Sequence, residues 1–179
     1  KDLKDAQWEE SDEKSVDLDK LDKYQDFTKE HGETYYFALR VSNGVGLSSI
    51  GFSDGIRVDK TAPFIPKVKL LDAVNLGNPT VTKELNYITS SEGLGLWIKS
   101  MDPESDISKY LYTWGSRDSL ENKDRLESLK EYIKLDQIEK DFKIEEGEIT
   151  VFVGEAINNA KQKSATGYSM GVVLDTKAP

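Results

Sequence analysis

Apolar and polar residues alternate in short runs along most of the chain, the signature of half-buried β-strands. Residues 34–41 are rich in aromatic and β-branched side chains and are bounded by Gly32 and by Asn43-Gly44; residues 150–157 have the same look. Both runs predict a strand that ends in a turn. Residues 53–58 and 171–174 supply the strand that follows each, closing a hairpin. Leu94, Leu96 and Ile98 alternate, with Trp97 on the opposite face, and Tyr110, Tyr112 and Trp114 alternate again after the Asp102-Pro103 turn. Residues 65–70 predict an earlier strand and 133–135 a later one. About six or seven short strands separated by turn signals indicate an antiparallel β-sandwich. One stretch has another period. Leu120, Leu126, Leu129 and Ile133 fall close to helical spacing behind Asp118-Ser119-Leu120-Glu121, a capping signal. This predicts a short helix covering one flank of the sandwich.

The pattern occurs twice. Val58-Asp59-Lys60-Thr61-Ala62-Pro63 and Leu174-Asp175-Thr176-Lys177-Ala178-Pro179 stand 116 positions apart. Carried backwards without a gap, this offset sets Gly55 on Gly171, Ser53 on Ser169, Gly51 on Gly167, Ser48 on Ser164 and Asn43 on Asn159. Apolar positions agree in character: Phe52 with Tyr168, Ile56 with Val172, Val41 with Ile157, Tyr36 with Phe152. Gly32 meets Gly147 once the offset slips by one residue. Chance rarely keeps turn glycines and alternating apolar positions together over so long a stretch, so two copies of one module are expected. The first copy has nothing like residues 102–115, and it reads as cut short at its N-terminal side. Trp8 and the acidic run at residues 9–13 stand in its comparable region. The chain opens on Lys1 and closes on a linker-like string, and it reads as a piece of a longer polypeptide.

Composition narrows the chemistry. Of 179 residues, 33 are acidic and 24 basic, for a net charge of -9. That balance argues against a duplex-DNA binder, which needs a basic stripe. No apolar run approaches the roughly 18 residues of a membrane span. There is no cysteine, which excludes disulfides, thiolate nucleophiles and Cys-based zinc sites. A single histidine, His31, leaves little for a Ser-His-Asp triad and is expected in a solvated turn. With 33 carboxylates, acid pairs arise at almost any spacing, so no glycosidase-like pair stands out. The expectation is a chain that is not an enzyme.

Certain motifs have a familiar form. Asp102-Pro103-Glu104-Ser105-Asp106-Ile107, Tyr110-Leu111-Tyr112 and Trp114-Gly115, together with Gly32-Glu33-Thr34-Tyr35-Tyr36, residues 41–49 and residues 53–59, resemble the bacterial fibronectin type III-like repeats. The second copy departs from that pattern at Asp106, where glycine is usual, at Lys161-Gln162-Lys163 and at Met170. The resemblance implies an all-β fold of tandem antiparallel β-sandwich modules, fibronectin type III- or immunoglobulin-like. Residues 1–61 would be the C-terminal part of a truncated module, and residues 62–179 a complete module carrying the short inserted helix. It also implies an extracellular or cell-surface setting and a structural, spacer or adhesive role. The partners it implies are flanking modules of the same polypeptide, other copies of the chain, or cell-surface glycan. The alternatives are a carbohydrate- or ligand-binding module of a secreted enzyme or adhesin, and an assembly subunit of a surface layer or filament, its first module completed by a neighbour's strand.

Two candidate sites follow. In an immunoglobulin-like sandwich the incoming linker and the loop between the second and third strands share one end. That brings Asp59 near Asp102, Glu104 and Asp106, with Asn158 and Asn159 reaching the same end from the last hairpin. Hard oxygen ligands in this number suit Ca2+. In the competing reading, Asp59 and Asp102 only cap their own turns through backbone hydrogen bonds. Trp97, opposed to Leu96 and Ile98 on the pleat, is the candidate ligand-stacking residue. Tyr110, Tyr112 and Trp114 are expected in the core rather than on a sugar platform.

Overall fold

The computed structural model describes Trp8, Glu10 and residues 29–79, 83–137 and 142–177. Most of the acidic run at residues 9–13 and the last two residues of the chain lie outside that set. The fold is all-β, and among the described residues there is no α-helix.

The described residues between 64 and 177 form two packed sheets. One holds β5 (Lys67–Asp72), β7 (Leu94–Lys99) and β10 (Tyr132–Lys134) in the order β10-β7-β5, all antiparallel. The other holds β6 (Tyr87–Ile88), β8 (Ile107–Gly115), β9 (Leu126–Ser128), β11 (Ile149–Asn158) and β13 (Val172–Leu174) in the order β6-β13-β11-β8-β9, with β12 (Gly167–Tyr168) also on β11. Neighbours run antiparallel except β6, which is parallel to β13. The inward rows of the two sheets interdigitate. Val68, Leu70, Leu94, Leu96, Ile98 and Ile133 on one side meet Tyr110, Tyr112, Phe152, Ala156 and Val172 on the other. Trp114 packs edge-on to Phe142 at 5.0 Å and stacks with Phe152. The aromatic stripe of β8 therefore belongs to the core, as its alternation indicates.

The expected helix does not form. Residues 117–119 make one 3-10 turn, after which the chain adds β9 to the edge of β8 and β10 to the edge of β7. The apolar residues that would have lined one helical face go to separate places. Leu120 packs on Val151 and Val153, Leu126 and Ile133 lie on edge strands of opposite sheets, and Leu129 is exposed. Two open sheet edges offered ladder bonds to the backbone, and those outweighed a weak helical period.

Residues 29–61 form two small antiparallel pairs. β1 (Thr34–Tyr35) pairs with β4 (Ile56–Arg57), and β2 (Ala38–Ser42) pairs with β3 (Ser48–Phe52). The single strand expected over residues 34–41 is thus interrupted at Tyr36-Phe37, whereas its counterpart β11 runs unbroken. Trp8 lies against the Arg40 guanidinium, 4.5 Å from ring centroid to the guanidinium carbon.

The two regions share a hydrogen-bond pattern, residue for residue. Phe37 N–H donates to Ser53 Oγ and Ser53 N–H to Phe37 O, as Phe152 does with Ser169. Leu47 N–H donates to Asn43 Oδ1 as Gln162 N–H does to Asn158 Oδ1. Gly32 N–H reaches Val58 O as Gly147 N–H reaches Leu174 O, and Asp59 and Asp175 each accept from the N–H two residues on. Asn43 therefore matches Asn158 and Ser49 matches Ser164, an offset of 115, while Gly51 matches Gly167 at 116. The ungapped alignment is wrong by one residue upstream of that point. The extra residue of the second region enters between Ser164 and Gly167, on the return strand.

A polar junction as candidate functional site

Residues 58–63 carry the chain from β4 into the strand β5, and the side chains that receive them come from two loops of the sandwich. Asp59 is the hub. Its Oδ1 accepts from the Thr61 N–H at 2.9 Å and the Thr61 hydroxyl at 3.1 Å, closing an Asx turn. Its Oδ2 accepts from Ser105 Oγ at 2.6 Å and from Asn158 Nδ2 at 2.8 Å. Asp102 closes a second such turn, its Oδ1 accepting from the N–H groups of Glu104 and Ser105. Its Oδ2 accepts from Asn158 Nδ2 at 3.1 Å.

Asn158, at the end of β11, is completely buried and lies between the two carboxylates. Its amide also donates to Thr61 O at 3.0 Å, while its Oδ1 accepts from Gln162 N–H. Gln162 Nε2 in turn donates to Asp59 O. Asn159 donates to Ser105 O. Arg57 adds a clasp from β4, donating from Nη1 to Pro103 O and from Nε to Gly32 O. His31 Nδ1 accepts from Lys60 N–H at 3.1 Å, which leaves the opposite ring nitrogen 4.0 Å from Glu104 Oε1.

Burial pushes the Asp59 carboxyl up. The hydrogen bonds from Ser105 and from the Thr61 N–H and hydroxyl outweigh that and hold it below the usual carboxylate range. The site is one where a carboxylate stays ionised because donors surround it.

The expected acid cluster is partly assembled. Oxygens of Asp59, Asp102 and Glu104 converge within 4.8 Å, and as hard ligands these three could hold a metal ion. Asp106 does not join them. It is exposed and occupies the left-handed position of its turn at φ 59°, where its backbone carbonyl accepts from Asn159 N–H. The four oxygens of Asp59 and Asp102 already have donors: turn capping describes each Oδ1, while each Oδ2 is held by side chains of other segments, which the cap reading did not include. Asn158 and Asn159 do reach this end of the sandwich. Ser105, Gln162, Arg57 and His31 were not foreseen as members. Only Thr61, two places after Asp59, carried a sequence signal.

Trp97 offers no open face to a ligand. It is 3% exposed, packed with Leu71 and Leu76 on the outer side of its sheet, with Lys69 Nζ 5.5 Å from the ring centroid. The 3-10 turn at Ala73–Asn75 and the leucine that follows it fold over that side and cover the indole. A separate depression of about 550 Å3 is lined by Asp72, Tyr87, Glu92, Asp175 and Lys177 among others. No helix of the described residues is long and apolar enough to cross a membrane. Comparison with protein-family models, curated proteins and solved structures finds no match to the chain.

Proposed function

We propose that the chain is a non-catalytic spacer or adhesive segment of an extracellular or cell-surface repeat protein, built of tandem fibronectin type III- or immunoglobulin-like modules. Residues 1–61 are part of a first module and residues 62–179 a complete second one. The observation that carries this reading is the polar junction. A linker residue, Asp59, is bonded on one side to its own turn and on the other to two loops of the following sandwich. Such a joint does no chemistry. It sets the angle between successive units, which is the property a spacer needs and an enzyme or a small-ligand module does not. The partners of the segment are then flanking modules of the same polypeptide, and its surface is available for self-assembly or for glycan.

Limited proteolysis of the whole chain tests the reading. The Lys60 bond is the trypsin site inside the joint, and it should be cut far more slowly than in Asp59→Ala or Asn158→Ala. Equal cleavage rates would mean that the linker is loose in the parent protein and that the joint sets no angle.

A further inference from the structure

Asn43 and Asn158 hold matching turns in the two regions, and the side-chain carbonyl is gripped in both. Asn43 Oδ1 accepts from the N–H groups of Val45 at 3.1 Å and Leu47 at 3.0 Å, and Asn158 Oδ1 accepts from Gln162 N–H at 2.8 Å. The rest of the two amides differs. Asn158 is completely buried, and its Nδ2 is held by Asp59, Asp102 and Thr61. Asn43 is exposed, and among the described residues its Nδ2 has no acceptor. The residue that follows differs as well. Asn159 N–H donates to Asp106 O at 3.1 Å, and Asn159 carries a side chain. Gly44 carries none, its N–H has no acceptor among the described residues, and a Cβ placed on it would meet nothing within 4 Å. Of the seven asparagines in the chain, Asn43 is the one followed by glycine.

These features suit one reaction. A backbone nitrogen can attack the Cγ of the asparagine before it and close a five-membered imide, most readily when no Cβ crowds its approach. As the N–Cγ bond forms, the carbonyl electron pair moves onto Oδ1, where N–H donors already in place stabilise the charge. The pair then returns, the Cγ–Nδ2 bond breaks, and Nδ2 leaves as ammonia, taking up a proton for the one the backbone nitrogen gave to solvent. Water next adds to either carbonyl of the ring. Opening at Cγ leaves an aspartate, and opening at the main-chain carbonyl leaves an isoaspartate, with the chain running through Cβ. The sum is amide plus water giving carboxylic acid plus ammonia.

We infer that Asn43-Gly44 is a self-modification site, where the folded chain loses ammonia and gains one carboxylate, and that the matching turn at Asn158 is protected. At Asn43 the nucleophile is unbonded and unshielded, and two donors meet the oxygen that takes the charge. At Asn158 the nucleophile is tied to Asp106, the leaving amide is tied to two carboxylates and a carbonyl, and burial excludes water. The products fall at the tip of the β2–β3 hairpin. The aspartate keeps an oxygen for Val45 and Leu47, since acid and amide close this kind of turn alike. The isoaspartate adds a methylene to the main chain of a turn now closed by Asn43 N–H on Leu47 O at 2.9 Å, and it opens that end of the hairpin.

The whole chain, held at pH 8.5 and 37 °C and sampled over time by mass spectrometry, tests this. Trypsin releases residues 41–57 and 144–161 as separate peptides. The first should gain the mass difference between an amide and an acid and resolve into two chromatographic species, while the second stays unchanged. Gly44→Ala has open space for its methyl, so it should melt as the parent does and react at least tenfold more slowly. A synthetic peptide of residues 41–57, with no fixed donors at Oδ1, should react no faster than the folded chain. Equal conversion of the two tryptic peptides would overturn the inference, as would an unaltered rate in Gly44→Ala. So would a synthetic peptide that outpaces the folded chain tenfold, because the turn would then be holding Cγ out of reach of Gly44.

Discussion

Asn158 Nδ2 lies 2.8 Å from Asp59 Oδ2 across 99 positions of sequence. The same nitrogen faces Asp102 Oδ2 and Thr61 O, so two hydrogens serve three acceptors, two of them charged. One neutral amide thus holds together two carboxylates that would otherwise repel. Asn158→Ala should cost about 3 kcal/mol, because it strands buried charged acceptors and the Gln162 N–H at once. In a chain of this size that is a fall of roughly 6–12 °C in melting temperature. Calorimetry of the variant checks it, and a shift below 2 °C would mean that water replaces the amide without loss.

The two matched glycines should respond oppositely to the same substitution. Gly167→Ala drives a methyl into Pro66 O, a backbone atom that cannot swing aside, and should cost about 2 kcal/mol or more. Gly51→Ala meets open space and should stay within about 0.5 kcal/mol. Equal effects in urea melts would contradict the close approach of β12 to the entry of β5.

Acid should weaken the fold through two groups and spare it through one. Burial raises the Glu155 carboxyl, but Thr166, Lys163 and Arg125 outweigh it, so like Asp59 it is held below the ordinary carboxylate range. Between the folded and unfolded values of such groups the unfolded chain binds more protons. Their contribution is complete above the unfolded value of about 4 and is lost as pH falls through the folded one. Glu84 is raised, chiefly by burial, and works the other way: its contribution is present below its unfolded value and is lost as pH rises through the folded one. Thermal stability should therefore drop from pH 5 to pH 3, and Asp59→Asn should flatten part of the slope. A melting temperature independent of pH over that interval would rule this out.

Calcium should leave the melting temperature of the parent chain unchanged at millimolar concentration, and so should a chelator. The inward oxygens of Asp59 and Asp102 are already bonded to protein donors, and a divalent ion would have to displace the Asn158 amide to reach them. A rise of several degrees would show the ion winning that exchange.

Strand positions were legible in the sequence because alternation and turn residues are local signals. Leu94, Leu96 and Ile98 turned inward, and Tyr110, Tyr112 and Trp114 entered the core as their period implied. Residues 118–133 misled because four leucine and isoleucine positions mimic a helical face when two vacant sheet edges compete for the same backbone. A one-residue slip showed in the sequence at Gly32 and Gly147, but its place at Ala165-Thr166 did not, since serine follows serine at Ser48-Ser49 and it takes the bond from Ala156 N–H to Ser164 Oγ to fix which serine is matched. Of the junction, the acids could be foreseen from a fold analogy. Gln162 and His31 could not, because each contributes through contacts set by loop conformation and not by neighbours in sequence.

The joint has two unlike halves, an aspartate turn on the arriving linker and a socket of Ser105, Asp102 and Asn158 on the receiving sandwich. A contact between unlike surfaces has direction and does not close on itself as a two-fold pair does. The Asx turn at Asp175 repeats the arriving half in the second region. In the tandem array proposed above, units joined by this rule would follow one another with the same turn and the same advance, a stacking of fixed sense, head to tail, like treads on a spiral stair.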